Sequence, residues 1–230
     1  ALALVTISAK CGSTIRTLKL LLAHGADTNI VPIHGISAFE LACRNAATFS
    51  STLAAKILIN YGADEFCTSM DELNALSCAT FGGDDTDEYS PEIIKLLINM
   101  GFDIEQKDSY LRTPLMRAAK FCTSKKGCTQ AIKLLLEYGA DTSVVDYYGD
   151  SFFGLLMESK AEVELKEEIM AMSVFTITLH EGDGEQVCMI CMNDGCDCVS
   201  KCGHMYHKDC LMEWLITKNK CVVCTKKMFE

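Results

Sequence analysis

The chain has 230 residues, a net charge of −10 and fourteen cysteines, a length that suits two ordinary domains or one elongated array plus a small unit. Residues 1–187 carry fifteen Lys/Arg against twenty-six Asp/Glu (−11), and residues 188–230 carry six against five (+1); neither part has the basic footprint of a nucleic-acid binder. No apolar run approaches the ~20 residues that span a bilayer, so neither nucleic acid nor membrane is expected as a partner.

In chain order, one pattern recurs four times: Leu21-Leu-Ala-His-Gly-Ala-Asp27, Leu58-Ile-Asn-Tyr-Gly-Ala-Asp64, Leu97-Ile-Asn-Met-Gly-Phe-Asp103 and Leu135-Leu-Glu-Tyr-Gly-Ala-Asp141. Its glycines, Gly25, Gly62, Gly101 and Gly139, are 37, 39 and 38 residues apart, each just past an apolar helical run. That is the left-handed C-cap position, where a Cβ is penalised. Each glycine is followed by a second helical start led by a capping residue: Ser37, Asn74, Thr113 (with Pro114 in the first turn) or Ser151. Four copies at near-constant spacing make a repeat array.

With Gly-Ala-Asp-x-Asn-x7-Thr-Pro-Leu readable from Gly25 through Phe39 and from Gly101 through Leu115, the chain resembles the ankyrin-repeat family. The resemblance implies a mainly α fold, a solenoid of about five repeats over residues 1–173, each a hairpin loop and two antiparallel helices. By register Ala1 to Leu4 lie inside the first helix of a truncated first repeat, as in a fragment of a longer array. Insertions relative to the family's unit fall at Ala46 to Ser51, at the acidic Gly82 to Ser90 and at Cys122 to Gly127. The charged stretch Ala161 to Met170 suits a last helix that meets water and caps the stack. Val174 to Leu179 alternates like a short strand, and residues 174–187 form a linker.

Eight of the fourteen cysteines fall within the last 43 residues, and Cys11, Cys43, Cys67, Cys78, Cys122 and Cys128 are scattered. Such clustering favours zinc over disulfides and a reducing compartment, cytoplasmic or nuclear. The ligand-type residues run Cys188-x2-Cys191-x10-Cys202-x1-His204-x2-His207-x2-Cys210-x10-Cys221-x2-Cys224. Tetrahedral zinc takes four such ligands, so eight complete two structural sites and leave no position for a hydrolytic water. His24, His34 and His180 are too dispersed to add a further site.

This series matches the RING family of the H2 type over residues 188–230, whose ligands interleave in a cross-brace. Carried over, Cys188, Cys191, His207 and Cys210 hold one zinc, and Cys202, His204, Cys221 and Cys224 hold the other. An alternative series recruits Cys196 and Cys198; it leaves a short first loop and Cys202 and His204 idle, so the H2 assignment is preferred, with Cys196 and Cys198 as free loop thiols. The resemblance implies a ubiquitin-protein ligase without a catalytic nucleophile. Its conjugating-enzyme face would comprise Ile190, Trp214, Val222 and Val223, with Lys226 in place of a basic residue usual at Thr225. The zinc module would recruit a ubiquitin-conjugating enzyme carrying ubiquitin, and the repeats a protein substrate. The rival reading is a zinc-stabilised interaction scaffold with no transfer activity.

Overall fold

The computed structural model describes residues 12–31, 35–44, 49–64, 73–80, 91–122, 126–161, 163–174, 187–196, 198–200, 202–217 and 220–225. Ala1 to Leu4, the acidic insertion from Gly82 to Ser90, the strand expected after Val174, and His34, His180 and Lys226 lie outside them.

Nine helices make up the described part of the array: α1 (Gly12–Ala23), α2 (Ala38–Arg44), α3 (Phe49–Asn60), α4 (Ala75–Ala79), α5 (Pro91–Asn99), α6 (Pro114–Lys120), α7 (Lys126–Glu137), α8 (Phe152–Glu158) and α9 (Val163–Val174). The short helices α2, α4, α6 and α8 stack in one row, while α1 packs on α3, α5 on α7 and α7 on α9 in the second. The two rows bury Phe39, Leu58, Leu76, Ile93, Leu97, Leu115, Leu135 and Phe152 between them.

Caps set where each helix starts and stops. Asn74, Thr113 and Ser151 accept from the backbone N–H groups of Ser77, Met116 and Gly154. Ser37 and Glu40 form a capping box: the Ser37 N–H donates to Glu40 Oε2 at 2.7 Å and the Glu40 N–H to Ser37 Oγ at 3.1 Å. At the other ends Gly139, at φ +84°, donates to the Leu136 carbonyl and Ala140 to that of Leu135, and the same double bond recurs at Gly25, Gly62 and Gly101. This is the Schellman closure of a helix C-terminus.

Residues after two of these glycines, Gly25 and Gly101, tie one repeat to the next. Asn29 accepts from the Asp64 N–H (2.7 Å) and donates to the Gly62 carbonyl (3.1 Å). Four residues past Gly101, Glu105 likewise accepts from the Asp141 N–H (2.7 Å). Two buried ion pairs brace the third and fourth hairpins, Arg117 to Asp108 at 2.6 Å and Arg112 to Asp146 at 2.8 Å.

Two features differ from the sequence reading. Cys122 and Cys128, expected as scattered thiols, are joined by a disulfide that closes the α6–α7 insertion, their Cα atoms 5.4 Å apart. The array also does not end on α9 alone. Helix α10 (Lys208–Thr217), which belongs to the cysteine-rich segment, packs against α8 and extends the row of short helices. A charged last helix shields only its own outer face, so the exposed side of α8 takes its cover from beyond the array.

Candidate metal centre

Among its described residues the last segment has little of its own to bury. Tyr206, Leu211 and Leu215 are its large fully buried side chains, and its sheet is two residues deep, with β1 (Cys198–Val199) antiparallel to β2 (Met205–Tyr206). So small a core does not offset the conformational entropy of folding.

Two turns and one helix present the ligand-type side chains. Cys188 and Cys191 bracket a tight turn closed by the Met192 N–H on the Cys188 carbonyl (2.9 Å), with Met192 at φ 61°. Cys221 and Cys224 repeat it, closed by the Thr225 N–H on the Cys221 carbonyl (3.1 Å), with Thr225 at φ 55°. Cys210 lies on α10 and His207 just before it, while Cys202 and His204 lie between the strands, where Gly203 turns the chain at φ +84°.

The fold gathers these eight residues into two quartets, Cys188/Cys191/His207/Cys210 and Cys202/His204/Cys221/Cys224. Within each, all ligand atoms lie within 4.8 Å of one another. His207 Nδ1 is 3.2 Å from the Cys191 sulfur and 3.8 Å from that of Cys210; His204 Nδ1 is 3.3 Å from Cys202 and 3.5 Å from Cys221. A tetrahedral zinc site with ordinary bond lengths has S···N edges of about 3.5 Å. The two quartets alternate along the chain, which is the cross-brace.

Electrostatics fits a bound cation. Burial raises the Cys188 thiol, but the backbone N–H groups of Cys191, His207 and Ile190 outweigh it and bring it down to about 6. Cys221 also comes to about 6, burial being outweighed by the Cys224 N–H, the Tyr206 hydroxyl and the Val223 N–H. Cys210, by contrast, is pushed up to about 12 by burial and its sulfur neighbours. Thiolates packed so closely repel one another, and a divalent cation relieves that repulsion. His207 Nε2 meets the Asp194 carbonyl at 2.9 Å, which fixes the tautomer that leaves Nδ1 free for a metal.

Cys196 and Cys198 stand apart from both quartets. Both are buried rather than free in a loop, and Cys198, in β1, donates its thiol proton to the Tyr206 carbonyl (3.2 Å). Sequence reasoning missed the Tyr206 hydroxyl, 3.0 Å from the Cys221 sulfur, and the Ser200 hydroxyl, 3.2 Å from that of Cys202. No spacing rule marks a hydroxyl that supports a ligand from behind.

Around the quartets, Ile190, Trp214 and Val222 are partly buried against the core, and Val223 is half exposed. The Trp214 ring N–H donates to the Lys220 carbonyl (2.8 Å), tying α10 to the turn that begins at Cys221.

Comparison with known proteins agrees with this geometry. The family of ankyrin repeats, in three copies, matches residues 45–146, and the ring finger domain family matches residues 186–225. A ubiquitin-protein ligase of Arabidopsis thaliana is 41% identical over 64 residues, 26% of this chain and 19% of that protein. A putative ankyrin repeat protein of Acanthamoeba polyphaga mimivirus is 39% identical over 62 residues, 27% of this chain and 35% of that one. A ubiquitin-protein ligase of Gossypium hirsutum is 37% identical over 68 residues, 27% of this chain and 20% of that protein. The chain thus spans between about a fifth and a third of the length of these relatives.

Proposed function

We propose that this chain, an ankyrin-repeat array joined to a RING finger, is a RING-type ubiquitin-protein ligase. One observation carries the reading: two Cys/His quartets each offer the four ligand atoms of a structural zinc, which would hold the finger's shape and leave no coordination position for substrate. Zinc would fix that shape and do no chemistry. The names of the two plant relatives support the same activity.

In this reading Ile190, Trp214, Val222 and Val223 form the face that binds a ubiquitin-conjugating enzyme, and Lys226 serves beside Thr225. Transfer is non-covalent with respect to this chain. The finger orients the charged conjugating enzyme so that a substrate lysine attacks its thioester, and rate comes from restricted motion. The repeats hold the protein substrate, and a reducing compartment, cytoplasm or nucleus, keeps the ligand thiols available and would hold the neighbouring Cys122 and Cys128 as thiols as well. Among the described residues no helix is long and apolar enough to cross a membrane.

The test is an in vitro ubiquitination assay against a panel of conjugating enzymes, beside Trp214→Ala. Ubiquitin ladders from the native chain and not from the variant, both holding two zinc ions, are the expected result. Silence across the panel with zinc bound would favour a zinc-stabilised scaffold. Thr225 supports that second reading, because a short neutral residue at φ 55° stands where the family often has a bridging cation.

A further inference from the structure

Tyr110, Tyr147 and Tyr148 sit on the tips of two neighbouring hairpins and are 42%, 72% and 65% exposed. Three phenol rings facing water on adjacent tips form a larger aromatic surface than a scattered exposed side chain does. Tyr110 and Tyr148 hold equivalent places, each two residues past an aspartate whose carboxylate accepts its N–H at 2.9 Å. Their rings stack across the repeat boundary at 6.5 Å and 22°, and Tyr147 meets Tyr148 edge-on at 5.4 Å. The Tyr147 N–H also donates to the Tyr110 carbonyl (2.9 Å), so the two tips are knitted together beneath the rings. Such a surface binds with little further loss of side-chain freedom.

The chain already shows what these rings accept. The Arg112 guanidinium, held by Asp146, lies 5.2 Å from the centre of the Tyr110 ring and 5.8 Å from that of Tyr148. Arg112 is buried, whereas the three rings keep much of their surface in water. On the same two hairpins Asp103 and Asp141 are exposed, and Lys107 is the exposed amine. The −11 carried by residues 1–187 adds a long-range field of the same sign.

We propose that this tyrosine patch docks an extended segment rich in Arg or Lys from a partner protein, the substrate of the ligase reading on which this inference rests. Cationic side chains would lie against the exposed parts of the rings, and the negative field of the array would steer them there. An anionic polymer or membrane surface would be repelled by the same charges.

The probe is a fluorescein-labelled twelve-residue peptide alternating Arg and Gly, with its Glu-Gly counterpart, titrated into the intact chain by fluorescence anisotropy. The Arg-Gly peptide should bind and the Glu-Gly peptide should not. Tyr147→Ala with Tyr148→Ala should weaken binding by about five- to thirty-fold, two exposed cation–ring contacts together. The double change to Leu keeps apolar area without the ring quadrupole and should weaken binding nearly as much. Tyr61→Ala, another exposed tyrosine outside these tips, should leave binding unchanged. Equal binding by the native chain and both double variants, or binding of the Glu-Gly peptide, overturns the proposal. Peptide binding requires no ubiquitin transfer, so a chain that binds the peptide but forms no ladders fails only the ligase reading.

Discussion

The array and the finger solve the same problem in opposite ways. The array spreads its stability over many buried side chains, from Phe39 to Phe153, with each repeat touching its neighbours. The finger buries few large side chains and concentrates its stability in two ligand quartets. Distributed stability tolerates local damage, whereas concentrated stability fails all at once. The two meet where α10 covers α8, so damage to one should be felt at that end of the other.

Removing zinc should have the largest effect. Structural zinc supplies about 10–16 kcal/mol of apparent folding energy in small metal domains. A strong chelator, or Cys188→Ser, should unfold residues 187–225 while the array stays helical. Hydrogen exchange should rise throughout the finger and moderately in α8, with α4 and α5 unchanged. Loss of protection across the whole array would break the comparison, since the two regions would then be one cooperative unit.

Next is a cavity in the array. Leu135 on α7 is fully buried, and Leu135→Ala should cost about 2–5 kcal/mol. Urea unfolding followed by circular dichroism should show the loss, and zinc content should remain two ions per chain. A fall in zinc content with this variant would mean that the finger leans on the array more than its contact through α8 suggests.

A smaller change tests the finger's support. Tyr206→Phe removes the hydroxyl 3.0 Å from the Cys221 sulfur and leaves the buried ring. Outer-sphere partners of this kind are worth about 10–100-fold in metal affinity. Competition with a chromogenic chelator should show one of the two zinc ions released more readily, with the array's unfolding unchanged.

What could be read beforehand follows the range of the interactions. The caps at Ser37, Asn74, Thr113 and Ser151 and the glycines closing the helices act within four or five residues, so local sequence carries them. The quartets span longer loops, yet thiol and imidazole are scarce enough that spacing alone gathers them. The Cys122–Cys128 bond escaped because two lone cysteines six residues apart do not say whether they pair, and the Tyr206 support and the tyrosine patch escaped because a common residue type carries no such mark. The cover of α8 by α10 joins segments some fifty residues apart, and apolar pattern does not say which faces meet.

The smallest effect concerns a single backbone angle. Leu111 turns its hairpin at φ 61°, and its counterpart one repeat later, Gly149, does so at φ 87°. Each N–H donates to the carbonyl of the aspartate three residues earlier, at 2.8 and 3.0 Å, so the two turns are closed alike. A branched side chain in this region costs about 1–2 kcal/mol, while glycine loosens the unfolded chain by about 0.4–1 kcal/mol. Leu111 is half exposed, so little packing is lost with it. Leu111→Gly should therefore raise stability by under about 1 kcal/mol, a shift of roughly 2 °C in the array's Tm by calorimetry. In the finger, Met192 stands at φ 61° beside Cys191, where a metal-holding turn dictates the angle. Met192→Gly should leave that Tm unmoved and register in zinc affinity instead. A common response to both substitutions would show that backbone strain is shared between the regions rather than absorbed by each.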